Sequence, residues 1–220
     1  MRIGFVHTLS SLMERCRTEM SMHHPHIDCF HVVNEGLLQD LLRGEERVRV
    51  YRRVVLQVLL TADGGADMVV VTCSTTSPAV DMVRQMCPVP VLKMDDPMAA
   101  EAVRVGRRIA VLSTNTNTPG PTAALLRQHA AAAGREVLIE TVARPEAHTA
   151  LFAGDADRHD TIVLAAAKDA APRSDVLVLA QENLGHLQRQ IAGFGKPVLV
   201  AVPLLMTELS RRLAPYGAAV

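Results

Sequence analysis

ADMVVVTCS at residues 66–74 and SDVLVLAQE at residues 174–182 decide the fold of this chain. Each is an apolar run of strand length that follows an aspartate and ends in polar side chains. Runs that are apolar on both faces are typical of strands covered by helices on each side of a parallel sheet. The second run begins about 108 residues after the first, and this spacing predicts two similar halves.

Two further pairs of stretches repeat at nearly the same spacing. IGFVHT at 3–8 matches IAVLST at 109–114, and VPVLKMDDP at 89–97 matches KPVLVAVP at 196–203. Helical patterns, as at 47–62, 122–134 and 159–171, alternate with the strands. This alternation predicts an α/β fold with parallel sheets. The predicted strands are 3–7, 27–33, 68–72, 89–94, 108–113, 137–142, 176–180 and 197–202.

Three dipeptides mark predicted helix starts: Ser77-Pro78, Asp96-Pro97 and Thr118-Pro119. In each, a side chain that can cap a helix precedes a proline. Proline suits the first helical position because its missing N–H has no partner to lose there. We therefore expect a helix to begin at each of these prolines.

The composition of the 220-residue chain bounds its location and partners. Lys+Arg and Asp+Glu both number 23, Trp is absent and Tyr numbers two. The balanced charge gives no reason to expect binding to nucleic acid or to an anionic membrane, and the scarcity of aromatic residues gives no reason to expect base stacking. The N-terminus resembles neither a signal peptide nor a membrane span, and four cysteines without a CxxC pair indicate reduced thiols. The sequence thus predicts a cytoplasmic protein, with a homodimer as the default symmetric assembly.

Polar side chains follow four of the predicted strands. Ligands of doubly wound sheets bind beyond the carboxyl ends of the strands, so two halves that face each other about a pseudo-two-fold axis would line one cleft with these ends. The candidate site residues are His7, Thr8, Cys73, Ser74, Thr75, Ser113, Thr114, Asn115, Gln181, Glu182 and Asn183.

Cys73 is the candidate catalytic residue of this set. Backbone N–H groups of Ser74, Thr75 and Thr76, and the dipole of a helix expected to begin next, would favour its thiolate. The alternative is that Cys73 is a small core residue, as Cys16, Cys29 and Cys87 are interpreted to be.

His7 is the second catalytic candidate. It ends the first predicted strand, where the topology would bring it near Cys73 to tune the thiol or relay a proton. The alternative is a hydrogen-bonded core histidine.

No metal or nucleotide site is assigned from the sequence. HHPHIDCFH at 23–31 contains four histidines, but strand alternation would direct His26 and His31 to opposite faces. Neither GxGxxG, nor GxxxxGK[ST], nor GxSxG occurs.

The strand-end motifs resemble those of the aspartate/glutamate racemase superfamily, over nearly the whole chain. That family often has Cys-Asn-Thr where this chain has Cys73-Ser74-Thr75, and Asp-Ser where it has His7-Thr8. The resemblance implies two doubly wound α/β halves with the active site between them and a C-terminal segment that returns to the first half. The halves are then 1–97 plus 203–220, and 98–202. It also implies proton transfer at a carbon next to a carboxylate, without a cofactor.

The chain departs from the family at its second cysteine, where Gly-Cys-Thr is usual and Ala180-Gln181-Glu182 stands here. An amide is neither an acid nor a base near neutral pH. Racemisation by two thiols is thus not expected unless Glu182 or His7 takes the second role.

Three hypotheses follow from the missing thiol. The first is cysteine-mediated isomerisation, racemisation or decarboxylation of a small carboxylate, in which Ser74, Thr75, Ser113, Thr114 and Asn115 bind its oxygens and Gln181 orients it. The second is a Cys-His hydrolase with a thioester intermediate. The third is a carboxylate-binding module without catalysis.

Overall fold

The structure, a computed structural model, describes residues 1–216 of the chain. Its strands are β1 (Arg2–His7), β2 (Asp28–Val33), β3 (Met68–Val71), β4 (Val91–Lys93), β5 (Arg108–Ser113), β6 (Leu138–Ala143), β7 (Val176–Leu179) and β8 (Val198–Leu199). Its α-helices are α1 (Ser10–His23), α2 (Glu35–Leu42), α3 (Arg47–Asp63), α4 (Pro78–Val83), α5 (Asp96–Val105), α6 (Pro119–Ala132), α7 (Pro145–Phe152), α8 (Ala156–Ala170), α9 (Gln188–Ala192) and α10 (Ala201–Leu213). Short 3-10 helices span Ala171–Arg173, Glu182–Leu187 and Ala214–Tyr216.

The chain divides into two compact units. Unit 1 comprises Met1–Asp95 and the C-terminal segment from Val202, and unit 2 comprises Asp96–Ala201. Residues 217–220 of the return segment predicted at 203–220 lie outside the described residues. Among residues 1–216, no helix combines the length and the apolar character needed to cross a membrane.

Each unit contains one four-stranded parallel sheet, and the two sheets have the same topology. The order is β2-β1-β3-β4 in unit 1 and β6-β5-β7-β8 in unit 2. In unit 1 Val6 pairs with Val71, and in unit 2 Leu112 pairs with Leu179. The predicted α/β fold with two similar halves is therefore confirmed.

The central strands form the core of each unit because their side chains are buried on both faces. All four residues of β3 and of β7 are buried. In unit 1, β3 packs with apolar residues of α3 and α4, including Val54, Val58 and Val80. In unit 2, β7 packs with residues of α8 and α9, including Val163, Ala167 and Ile191. Helices on the sheets thus explain the unbroken apolar runs that the sequence shows.

Two local predictions require correction. The strand predicted at 197–202 ends at Leu199, because α10 begins at Ala201 and has Pro203 in its first turn, where a missing N–H is tolerated.

Pro78 and Pro119 do begin α4 and α6, but Ser77 and Thr118 make no side-chain capping hydrogen bond. Near Thr118, Asn115 Oδ1 instead accepts from the Thr118 N–H at 2.9 Å. The third helix, α5, begins one residue early, at Asp96 itself.

At Gly4, helix α3 packs closely against β1. A Cβ on Gly4 would lie 2.3 Å from Thr61 Cγ2 and 3.0 Å from Phe30 Cζ. Gly4→Ala is therefore expected to lower the free energy of unfolding by about 1–3 kcal/mol, because the helix must shift. Urea denaturation measures this loss. Gly120→Ala is the control, since a Cβ there meets nothing within 4 Å; equal midpoints for both variants would contradict the prediction.

Candidate functional site

Cys73 lies two residues beyond the end of β3, at the boundary of the unit 1 core. Its side chain is 9% exposed, and its carbonyl oxygen accepts from Thr76 Oγ1 at 3.3 Å. A turn over residues 74–77 separates Cys73 from α4, which begins only at Pro78 and contains six residues. The helix begins at Pro78, as the Ser77-Pro78 dipeptide predicts, but residues 74–77 lie between it and Cys73, so its dipole gives the thiol little support.

Two other thiols, the buried Cys16 and the partly buried Cys29, have raised pKa values. Burial raises the pKa of Cys16 to about 12, and burial together with the Asp28 carboxylate raises the pKa of Cys29 to about 11. Both thiols therefore stay protonated near neutral pH and are poor bases and nucleophiles. Their interpretation as structural residues is consistent with these values.

His7 ends β1 and is fully buried. Its Nδ1 atom lies 2.8 Å from Thr72 Oγ1, and its Nε2 atom lies 2.9 Å from His31 Nδ1. Both ring nitrogens are thus engaged by Thr72 and His31. Because Thr72 immediately precedes Cys73, His7 holds the backbone that carries the thiol.

The pKa of His7 argues for this positioning role. Burial, followed by the neighbouring His31 and Arg17, lowers its pKa to about 3. The imidazole is therefore neutral near pH 7, offers no positive charge to a thiolate and is a weak base. A direct part for His7 in proton transfer stays a prediction.

Thr72 and His31 were not selected from the sequence. Parallel pairing sets Phe5 opposite His31, and alternation gives His7 the same face as Phe5. The three rings stack, with centroids of Phe5 and His31 5.0 Å apart and those of His7 and His31 5.2 Å apart. The contact between His7 and His31 follows from the register of β1 against β2, and a single sequence does not reveal that register.

Lys93 is a buried cation that sequence reasoning also missed. It is the last residue of β4 and pairs with Val71 of β3. Its side chain is 2% exposed, and its Nζ atom lies 2.8 Å from Asp81 Oδ1 in α4. A lysine inside the apolar run VPVLKM was the available signal. Unit 1 therefore carries a fixed positive charge, paired with a carboxylate, one strand away from β3.

The predicted polar residues of unit 2 come together around Gln181. Its Oε1 atom accepts from the Thr114 N–H, from Ser113 Oγ at 2.9 Å and from Thr114 Oγ1 at 3.2 Å. Ser113 and Thr114 are buried. The amide oxygen of Gln181 is thus committed to its own unit, and its NH₂ group is the part that can donate to a ligand.

The remaining candidates lie at the predicted strand ends with varied exposure. Thr8 and Thr75 are buried, Ser74 and Glu182 are partly exposed, and Asn183 is exposed. Asn115 Oδ1 accepts backbone N–H groups of its own loop, as described for Thr118. The assignment of all these residues to substrate binding stays a prediction.

Cys73 and Gln181 occupy equivalent positions in the two units. Each is the second residue after the third strand of a four-stranded sheet of identical order. A family model described as Asp/Glu/Hydantoin racemase matches residues 6–209. The chain belongs to the Asp/Glu/hydantoin racemase family.

Solved structures of the family share the fold. Glutamate racemase from Aquifex pyrophilus is 18% identical with a TM-score of 0.70, covering 96% of this chain and 84% of that one. A putative Asp/Glu racemase from Yersinia pestis is 14% identical with a TM-score of 0.72, covering 97% and 99%. Allantoin racemase from Klebsiella pneumoniae is 16% identical with a TM-score of 0.64, covering 98% and 88%. No curated protein sequence matches the chain.

Membership of the racemase family supports a racemase-type enzyme, an isomerase, and it confirms the resemblance on which the sequence analysis relied. The two units of this chain differ at this equivalent position. A thiol follows the third strand of one unit, and an amide follows the third strand of the other.

Gln181→Leu tests the hydrogen bonds that this amide makes. The leucine has no acceptor, so the buried N–H of Thr114 and hydroxyl of Ser113 lose a partner. The free energy of unfolding is expected to fall by about 1–3 kcal/mol in chemical denaturation. Gln181→Glu keeps an acceptor oxygen, so its free energy of unfolding is expected to fall by less. Equal losses in the two variants would show that the acceptor does not matter.

Proposed function

We propose that this racemase-family enzyme moves a proton at the α-carbon of a small carboxylate by means of Cys73 and without a cofactor. The observation that carries the proposal is the position of Cys73, a thiol that is 9% exposed and lies two residues beyond β3. Parallel α/β sheets bind ligands beyond this end of their strands. The hydroxyl groups of Ser74 and Thr75 adjoin the thiol and would bind the carboxylate oxygens.

The proposed step is a balanced acid–base exchange. The Cys73 thiolate removes the α-proton, so that the C–H bond breaks, an S–H bond forms, and the electron pair of the C–H bond passes into the carboxylate as an enediolate. Hydrogen bonds from hydroxyl and amide groups stabilise the charge that develops on its oxygens. Return of a proton to the same carbon completes an isomerisation.

Gln181 restricts which net reaction this step can serve. Racemisation requires an acid on the second face of the carbon, and an amide cannot supply it. A reaction that needs one proton donor avoids this requirement. In decarboxylation the C–C bond breaks, CO₂ leaves, and the Cys73 thiol protonates the remaining carbanion. The glutamine therefore favours decarboxylation as the second candidate. A racemisation would need Glu182 as the acid, because the imidazole of His7 is neutral near pH 7.

Solvent-deuterium exchange tests the proposal. The full chain is incubated in D₂O with aspartate, glutamate, other small carboxylates and substituted malonates, and ¹H NMR follows the α-proton, the optical form and the release of CO₂. We expect exchange or decarboxylation of at least one acid. If no compound exchanges or loses CO₂, while thermal unfolding shows saturable stabilisation by a carboxylate, the chain is a binding module. A thioester trapped on Cys73 without exchange would indicate the hydrolase instead.

A further inference from the structure

His159, Asp160 and His186 form a side-chain cluster in unit 2 that the proposed reaction does not use. His159 and Asp160 belong to α8, and His186 belongs to the 3-10 helix Glu182–Leu187 that follows β7. One potential ligand atom from each residue lies within 4.8 Å of the other two. Among the described residues, this is the group of histidine, cysteine and acidic side chains that converges in this way.

A single carboxylate oxygen connects the two imidazole rings. Asp160 Oδ1 lies 2.7 Å from His159 Nδ1 and 2.9 Å from His186 Nε2. His159 is 1% exposed, so its ring is fixed by packing in α8, whereas His186 is exposed at the surface. The three groups therefore combine a rigid ligand with an accessible entry path.

The tautomer of His186 is set by a backbone carbonyl. Its Nδ1 atom lies 2.9 Å from the oxygen of Asn183, which can only accept, so Nδ1 carries the hydrogen. In the neutral ring, Nε2 then has a lone pair directed at Asp160 Oδ1, and this carboxylate oxygen has a lone pair directed at Nε2. Two lone pairs at this distance repel unless a cation lies between them. An imidazole that donates from Nδ1 to a carbonyl and offers Nε2 is the usual arrangement of a metal ligand.

The donor set selects the class of cation. Two imidazole nitrogens and one carboxylate oxygen suit Zn²⁺, Co²⁺ or Ni²⁺, whereas Mg²⁺ and Ca²⁺ prefer oxygen ligands. Zn–N and Zn–O bonds of about 2.0–2.2 Å in a tetrahedral site separate the ligand atoms by about 3.3 Å. The present contacts would open by about 0.5 Å, which side-chain torsions can provide. Water would complete the coordination.

We propose that His159, Asp160 and His186 bind a divalent transition-metal ion of the Zn²⁺ type. The ion would join helix α8 to the segment after β7, which contains Gln181 and Asn183. This site does not depend on the chemistry of Cys73, so either proposal can fail without the other.

Isothermal titration of the full, untagged chain with ZnCl₂, after removal of metal by a chelator, tests the site. We expect about one Zn²⁺ per chain, with an affinity that rises from pH 6 to pH 8 because the imidazole ligands must be deprotonated. Co²⁺ absorption identifies nitrogen and oxygen ligation without reference to activity. His186→Ala and Asp160→Ala are each expected to weaken binding about tenfold or more.

His26→Ala is the matched control, because His26 is an exposed histidine in the 23–31 stretch of the other unit. It should leave the affinity unchanged. Loss of binding in His26→Ala with retention in His186→Ala would overturn the proposal in favour of that stretch. Absence of a stoichiometric Zn²⁺ signal at pH 8 would overturn it as well, and would leave a proton as the cation between His186 and Asp160. Circular dichroism of each variant verifies that the fold is retained.

Discussion

Cys73→Ser is expected to lower kcat/KM for α-proton exchange or decarboxylation by about 10²–10⁴-fold. A serine hydroxyl is nearly isosteric with the thiol but is a far weaker acid near neutral pH, so it fails both as the donor and, after ionisation, as the base. The measurement is the rate of deuterium incorporation or CO₂ release with whichever acid the wild-type chain turns over.

Cys87→Ser is the control for this substitution. Cys87 is a partly exposed thiol beyond the end of α4, in the same unit as Cys73. Its replacement is expected to leave the rate unchanged, and both variants should unfold at the wild-type temperature. Retention of wild-type exchange in Cys73→Ser would remove the thiol from the mechanism and, with it, the proposed function.

Acidification is expected to destabilise the chain through His7. The pKa of His7 is about 3 in the folded chain, compared with the ordinary value of 6.5 for an exposed histidine. Between these values the unfolded chain binds a proton that the folded chain does not, so the free energy of unfolding falls as pH decreases. The full contribution is present above pH 6.5 and is lost by pH 3, and it amounts to about 4–5 kcal/mol.

Urea denaturation at a series of pH values isolates this contribution. His7→Gln keeps a donor and an acceptor but does not titrate, so its stability should depend less steeply on pH between 6.5 and 3, by up to about 1.4 kcal/mol per pH unit. His26→Gln, at an exposed position, should keep the wild-type slope. If His7→Gln and the wild type have parallel profiles, the buried histidine is not the titrating group. Burial also lowers the pKa of His31, which adds to the loss in the same direction.

The repeat was the part of the fold that the sequence predicted best. ADMVVVTCS and SDVLVLAQE became equivalent strands because each is long enough, and apolar enough on both faces, to be stable only at the centre of a covered sheet. Boundaries were less predictable. The run PVLVAV is apolar throughout and is therefore typical of a strand. In the structure, however, β8 ends at Leu199 because α10 begins at Ala201, and Pro203 fits in the first turn of that helix.

The sequence predicted which residues lie at strand ends, but it did not predict which side chains contact one another. Position at or just after the end of a strand made Cys73, His7 and Gln181 candidates, because that inference needs only the order of elements. The partners of these residues depend on register: His31 reaches His7 through the pairing of β1 with β2. Asp160 and His186 are likewise joined by the packing of α8 beside the segment after β7. A sequence without aligned relatives contains no signal for such contacts.

The return of α10 to unit 1 bears on the order in which the protein forms during synthesis. Unit 2 is continuous from Asp96 to Ala201, so its whole core has been synthesised while unit 1 still lacks a helix. Leu205 and Leu209 of that helix are fully buried, and Ser210 Oγ lies 2.9 Å from His24 Nε2 near the end of α1. Domains fold as units when their contacts are available. The half that is synthesised first is therefore the half that is completed last, because the segment that carries Cys73 acquires its final packing only after the whole inserted half has been synthesised.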